Sequence, residues 1–132
     1  MQIALLYLVT AGVFLVLDAL MLNTVLRPLF EGRIGEIMAE PLRLGPAAAF
    51  YLAYVAGLLY LVSVPALRDG DPVQALVGGA VLGFVAYGTY EFTNYAVLRD
   101  WHWSLVATDL AWGTVLTAVS AWAGVAALRA FG

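Results

Sequence analysis

The chain has no cysteine and no lysine among its 132 residues, and it has a single histidine, His102. Because thiols are absent, disulfides, thiol catalysis and thiolate metal sites are excluded. The absence of lysine excludes a Schiff base of the retinal or pyridoxal type, since that bond needs a lysine amine. One histidine also argues against a haem or multi-histidine metal site within one protomer. The sequence therefore predicts no metal and no cofactor.

Charged residues are also scarce. They make up 11% of the chain and hydrophobic residues 64%, whereas soluble domains carry about 25% charged residues. This composition predicts an integral membrane protein. The formal net charge of −3 argues against a nucleic-acid partner, because such a partner requires a basic face.

Four apolar segments are long enough to cross a membrane, and short polar segments separate them. We predict helices over about 2–26, 45–67, 73–98 and 104–129. The first segment lacks the basic start of a signal peptide and is too long for one, so we interpret it as a retained helix. The prediction is an all-α, integral membrane fold: one domain over 1–132, an up-down bundle of four transmembrane helices with short loops.

The first loop contains the least certain element of this prediction. Arg27-Pro28 is expected to end the first helix, because proline lacks an N–H and disfavours helix in the residue before it. Residues 31–43 carry an apolar stripe typical of a short helix on the membrane surface. Gly32, Gly35 and Pro41 weaken that pattern, so a solvated loop is an equal alternative.

Arginine supplies every positive charge in the chain and sets the expected orientation. The first and third loops share one side of the membrane and carry four arginines, against two on the other side. The positive-inside rule then places these two loops in the cytoplasm and both termini outside. The six residues are Arg27, Arg33, Arg43 and Arg99 on the first side, with Arg68 and Arg129 on the second.

Three carboxylates fall inside the apolar segments: Asp18, Glu91 and Asp109. Each lies about eight residues from the side of the first and third loops, which is ~12 Å in a helix. Three helices therefore bring an acid to one depth. Acids inside a membrane are costly and are read by default as a functional site.

Aromatic and amide side chains accompany these acids. Tyr87, Tyr90 and Asn94 share a helical face with Glu91, and Trp112 shares one with Asp109. Tyrosines of the second helix either reach the acids or anchor that helix at the membrane surface. The predicted ligand-binding residues are Asp18, Tyr51, Tyr54, Tyr87, Tyr90, Glu91, Asn94, Asp109 and Trp112.

Three interpretations of this cluster remain open. In the first, the cluster is a buried hydrogen-bonded network that fixes helix register, with protonated acids or with Arg27 or Arg99 as a partner. Alternatively it binds a lipid, a small ligand, a proton or a cation, or it catalyses a reaction on a membrane substrate. Whether the chain is an enzyme is left uncertain. His102 lies between two tryptophans and is interpreted as a residue of the membrane interface rather than a ligand.

At these residues the chain resembles the domain-of-unknown-function 2177 family of four-helix bacterial inner-membrane proteins. The resemblance rests on Asp18 in the first helix and on Phe50, Tyr51, Tyr54 and Gly57 in the second. It continues with the motifs Tyr87–Asn94 in the third helix and Asp109–Thr114 in the fourth. The family motif has aspartate at the position of Glu91.

This resemblance implies a multi-pass protein of the cell inner membrane and supplies no catalytic residue. We expect binding of a lipid or small ligand, with an enzyme acting on lipid acyl chains or an accessory subunit as alternatives. The expected partners are membrane lipids and no nucleic acid. A homodimer or a larger membrane complex is left open.

Overall fold

A computed structural model of the chain describes residues 2–38 and 43–131. It contains four helices that are long and apolar enough to cross a membrane. The predicted all-α, multi-pass membrane fold is confirmed. We number the helices α1 (Gln2–Ile37), α2 (Gly45–Arg68), α3 (Pro72–Val97) and α4 (Trp103–Phe131).

Helix α1 does not end at Arg27-Pro28, so the predicted end near residue 26 is wrong. The helix instead widens into a π turn over Leu22–Leu26, where the Arg27 N–H donates to the Leu22 carbonyl. It then continues as Arg27–Ile34 and ends in a 3₁₀ turn over Gly35–Ile37. Pro28 offers no N–H and its ring crowds the carbonyl four residues back, and we attribute the wider turn to this conflict.

The predicted surface helix over 31–43 is not a separate element where the structure describes it, because residues 31–37 belong to α1. Its last part, 39–42, lies outside the described residues.

Helix α2 contains the same combination of a π turn followed by a proline. Its π turn spans Leu59–Ser63, the Val64 N–H donates to the Leu59 carbonyl, and Pro65 follows. In both helices the proline therefore stands two residues after the end of a π turn. Such turns keep most backbone groups hydrogen-bonded inside a membrane, where water cannot satisfy them.

The turn between α2 and α3 is built from Gly70 and Asp71. Gly70 takes a positive φ of 65°, which glycine adopts without the strain that a Cβ brings. The Asp71 carboxylate accepts from the N–H groups of Val73 and Gln74 at 3.1 and 3.2 Å. This N-cap begins α3 directly after the turn.

Helix α4 is the centre of the bundle, because it has more buried residues than any other helix and packs along α3 and α1. Gly79 and Gly83 allow the close approach of α3. A Cβ at Gly79 would lie 2.8 Å from the Thr117 carbonyl oxygen, and one at Gly83 would overlap that of Gly113. Close packing through these two glycines therefore joins α3 to α4 within the chain.

Helix α2 is placed differently. Its second part, from Leu59 to Arg68, approaches α3, whereas its first part packs mainly on α1. The two helices therefore separate toward the side of the first and third loops. The candidate site lies on the side of the bundle where α2 and α3 separate.

Candidate functional site

Asp18 lies in α1 and points into the bundle, with 6% of its surface exposed. The Trp112 indole N–H of α4 donates to Asp18 Oδ1 at 3.0 Å. The Tyr51 hydroxyl of α2 lies close to the same carboxylate. Three helices thus meet at Asp18.

Glu91 of α3 is fully buried. The Trp101 indole N–H donates to Glu91 Oε1 at 3.0 Å. The second oxygen, Oε2, receives no hydrogen bond from any described N–H or hydroxyl group. Glu91 is therefore held by one donor, from a residue that follows α3 in the third loop.

Asp109 of α4 lies between the other two acids. Its carboxyl group is within hydrogen-bonding range of the Glu91 carboxyl, and it is close enough to Asp18 for the charges to interact. It is 8% exposed. Within the described ranges, no N–H or hydroxyl group donates to Asp109. Two carboxyl groups thus face each other, and the Trp101 indole N–H on Glu91 is the donor described for the pair.

Tyr87 and Tyr54 cover the cluster toward the middle of the bundle. The Tyr87 ring lies against the backbone of Gly113, where any Cβ would overlap it. The Tyr54 ring packs on Tyr87, with centroids 6.2 Å apart, and its hydroxyl is 2.9 Å from Thr117 Oγ1. Gly113 is therefore needed for the position of Tyr87.

Tyr90 and Asn94 lie at the edge of the cluster. Tyr90 is 53% exposed, and its ring meets Trp101 edge to face at 5.9 Å. Asn94 is half-buried and lies beside Tyr90. Of the nine residues predicted from sequence, these two are thus the most peripheral.

A groove of about 590 Å³ opens where α2 and α3 separate. Most of its wall is apolar or aromatic, and the Asp109 carboxyl is its charged group. Tyr90 and Phe50 are exposed at its rim, on the surface that faces lipid. The lining residues are Phe30, Phe50, Tyr51, Tyr54, Ala86, Tyr87, Thr89, Tyr90 and Asp109.

The model of a family described as a predicted membrane protein, DUF2177, matches residues 3–126. The chain belongs to the DUF2177 family. No curated protein and no solved structure matches the chain. The resemblance noted from sequence is therefore confirmed, and the three acids of this DUF2177 protein lie within the matched range.

The arginines predicted as partners of the acids do not reach them. Arg27 pairs with Glu31 at 2.9 Å, one helical turn away. Arg99 lies 3.7 Å from Asp100 and its side chain is 94% exposed. A buried network with Arg27 or Arg99 as its counter-charge is therefore wrong. Arg27 stands on an exposed face of α1 and Arg99 in the third loop, and both guanidinium groups therefore point away from the acids.

Trp101 is a buried site residue that sequence reasoning missed, and the groove residues Phe30, Ala86 and Thr89 were missed as well. The sequence places it beside Arg99-Asp100 in a loop, which is typical of an indole in the headgroup region. In the structure it is buried and packs edge to face on Phe30 of α1 at 5.6 Å. His102, next to it, accepts the Ser104 N–H at 3.0 Å and so caps α4. No local sequence pattern predicts that a loop places an indole in the interior of the protein.

Proposed function

We propose that this protein binds a single-chain amphiphilic ligand from the surrounding membrane in the groove between α2 and α3. The observation that carries the proposal is the groove itself, about 590 Å³ with aromatic walls and one carboxyl group. Small-molecule sites have volumes of about 300–1,000 Å³, mostly apolar walls and few polar groups. An amphiphile has an apolar chain that suits the aromatic walls and a polar head group that suits the carboxyl group.

The groove is reached from the lipid side. Phe50 and Tyr90 stand exposed at its rim. Toward the loops, Trp101 is buried between Phe30 and Tyr90 and closes the way to Glu91. A ligand would therefore enter sideways between α2 and α3, with its chain in the membrane.

Binding fits this arrangement better than catalysis. Catalysis by the acids needs a base, an acid or a nucleophile beside a place for a reacting atom and an entry for water. The walls beside Asp109 are phenolic and apolar. The proposal accordingly assigns the acids to recognition, and it places the protein in the inner membrane of a bacterium, as the sequence resemblance implies.

A photoreactive long-chain alcohol tests this proposal. The protein is purified, inserted in nanodiscs of phosphatidylcholine and irradiated with a diazirine-bearing alcohol, and labelled peptides are mapped by mass spectrometry. Labelling should be saturable and concentrated near Phe50–Tyr54 and Ala86–Tyr90. Uniform labelling of all outward helix faces, without saturation, would refute a binding groove.

A matched pair of variants on α3 makes the test sharper. Ala86 lines the groove, so Ala86→Trp should fill it and lower the labelling at least about tenfold, which corresponds to about 1.4 kcal/mol. Val85, the neighbouring residue, is exposed toward lipid. Val85→Trp should leave groove labelling unchanged. Equal effects of the two variants would contradict the proposal.

A further inference from the structure

The three buried acids have no positive partner within the described part of the chain. The ion pairs seen there are Arg27 with Glu31 on the exposed face of α1 and Arg99 with Asp100 in the third loop. The chain has no lysine to supply another charge. Carboxylates inside a membrane are costly unless they are paired or protonated. An acid of this cluster that stays protonated avoids this cost, whereas one that ionises needs a counter-charge from outside the described residues.

Hydrogen bonds show where that partner is missing. Asp18 and Glu91 each accept from an indole N–H. Asp109 is more than nine-tenths buried, and the polar group that it meets is the carboxyl of Glu91, another acid. Buried polar groups nearly always have a partner. A second carboxyl brings no positive charge, and since Asp109 lines the groove, an occupant of the groove is placed to bring both a charge and an N–H donor.

The walls next to Asp109 suit a cation. Four tyrosines line the groove around this acid: Tyr51, Tyr54, Tyr87 and Tyr90. Aromatic rings attract cations over their faces, most strongly where water is excluded. An inorganic cation fits less well, because within residues 2–38 and 43–131 no cluster of three or more acidic or histidine side chains is placed to hold a metal.

We infer that the groove selects a protonated long-chain amine, with its ammonium group on Asp109 and its alkyl chain between α2 and α3. This inference rests on the proposed function and names the head group of its ligand. An ammonium supplies both the missing charge and the missing N–H donor. A long-chain alcohol supplies the donor alone, a quaternary ammonium supplies the charge alone, and a fatty acid adds another negative charge.

Two sources of such an ammonium differ in depth. Asp109 is six residues inside α4 from Trp103, which corresponds to ~9 Å along the helix. A single-chain amine can place its nitrogen there and keep its chain in the membrane. The amino head group of phosphatidylethanolamine would have to descend from the membrane surface. The groove volume also suits one chain better than two.

Competition with the photoreactive alcohol tests the inference. Long-chain amine, alcohol, carboxylate and trimethylammonium compounds of one chain length are added as competitors, with each concentration corrected for partition into protein-free nanodiscs. The amine should compete at least about tenfold better than the alcohol, since a charged hydrogen bond is worth about 1.5–3 kcal/mol. The trimethylammonium compound should fall between them, and the carboxylate should compete least.

Three outcomes separate the inference from the proposed function. An alcohol or a carboxylate that competes as well as the amine overturns the amine assignment and leaves the groove proposal standing. A trimethylammonium compound equal to the amine overturns the N–H contact to Asp109. Absence of saturable labelling by the probe overturns both proposals. These comparisons use the wild-type chain, so they do not depend on the folding of any variant.

One variant and its control locate the charge. Asp109→Asn should reduce the amine's advantage over the alcohol to about equality, because the amide carries no charge. Asp100 is an exposed acid in the third loop, and Asp100→Asn should keep the full advantage. An advantage that survives Asp109→Asn would overturn the inference. Labelling by the photoreactive alcohol in nanodiscs of phosphatidylethanolamine, compared with phosphatidylcholine, distinguishes the two sources of the ammonium group. A phosphatidylethanolamine head group that occupies the groove would lower the labelling.

Discussion

The two ends of this bundle are packed by different side chains. The half near the turn Arg68–Pro72, here the turn half, brings helices together through small residues. Gly79 lies on the Thr117 backbone, and Gly124 lies against Thr10 of α1. The opposite half, here the groove half, contains the three acids and the tyrosines around them. There α2 leaves α3, and a groove opens.

This difference separates the part that holds the helices from the part that can bind. Close backbone contact between small residues is the ordinary basis of helix association in membranes. The groove half lacks such contact between α2 and α3, and it buries three acids. Burial of acids in a membrane does not favour folding. Sites that break the rules of stable packing are commonly the functional ones.

Buried polar groups without partners occur in both halves and differ in kind. In the turn half they are hydroxyl groups, those of Thr10, Ser63 and Ser120. In the groove half the corresponding group is a carboxyl oxygen, Glu91 Oε2. A neutral hydroxyl without a partner costs a few kcal/mol at most, whereas an unpaired charge costs far more. The groove half is therefore the end where ionisation without a partner would be the more costly.

The largest expected effect lies in the turn half and the middle of the bundle. Gly83→Ala should destabilise the protein by about 3 kcal/mol, because the new Cβ meets backbone that cannot move away. It would overlap the Gly113 carbonyl oxygen and lie 2.9 Å from the Thr117 side chain. Thermal unfolding in detergent measures the change.

Gly57→Ala is the matched control for this prediction. A Cβ at Gly57 has no other atom within 4 Å, apart from its own neighbourhood in the helix. Alanine should therefore be neutral or stabilising by up to about 1 kcal/mol. If both variants lost equal stability, close packing of α3 on α4 would not be what holds this bundle.

Trp101→Phe should have the next largest effect and belongs to the groove half. Phenylalanine keeps an aromatic ring near Phe30 and Tyr90 but removes the N–H that donates to Glu91. Loss of a buried donor to a carboxyl group should lower the unfolding free energy by about 2 kcal/mol. Trp103→Phe, at an exposed indole, should change stability little.

A double-mutant cycle decides whether the loss belongs to this hydrogen bond. In the background Glu91→Leu, the further change Trp101→Phe should cost much less than it does in the wild type. An unchanged cost would show that Trp101 acts through packing alone, and the account of Glu91 given above would be wrong.

Much of the fold could be predicted from the sequence because it depends on hydrophobic length. Four apolar runs predict four spans, and the starts of α2, α3 and α4 fall within a residue of the prediction. The burial of Asp18, Glu91 and Asp109 follows from depth and helical faces. The end of α1 could not be found this way, because a π turn before Pro28 is a local adjustment that composition does not reveal.

Features of the site that depend on tertiary contacts could not be predicted either. Trp101 has the sequence context of a surface residue, and only the path of the third loop brings its indole to Glu91. The exposed positions of Arg27 and Arg99 were also not predictable, since long arginine side chains can reach inward or outward. The separation of α2 from α3 follows from the packing of whole helices. The ligand-binding role of the nine predicted residues remains a prediction.

Tyr54→Phe should have a smaller effect, at the boundary between the two halves. The change removes the hydroxyl that lies 2.9 Å from Thr117 Oγ1 and keeps the ring that packs on Tyr87. A neutral hydrogen bond of this kind contributes about 1 kcal/mol. Thermal unfolding should show that loss, and Tyr60→Phe, at an exposed tyrosine of the same helix, should show none. Equal losses would mean that the hydroxyl contact does not stabilise the boundary.

Glu91→Gln should have the smallest effect on stability and the most informative effect on binding. The amide keeps an acceptor for the Trp101 N–H. It also places an N–H₂ group beside the Asp109 carboxyl, where the wild type has a second carboxyl group. One acceptor is kept, one donor is gained and a buried acid is removed, so the unfolding free energy should stay within about 0.5 kcal/mol of the wild type or rise.

The same change should weaken the amine's advantage in the groove. With the glutamine amide donating to Asp109, the ligand's ammonium meets a carboxylate that is already partly satisfied, next to one charge fewer. The amine should then compete only a few-fold better than the alcohol, less than the roughly tenfold expected for wild type. A variant that loses about 2 kcal/mol of stability would instead show that Glu91 as an acid holds the bundle together. The groove half would then be a second structural half, and its carboxyl groups would need no ligand.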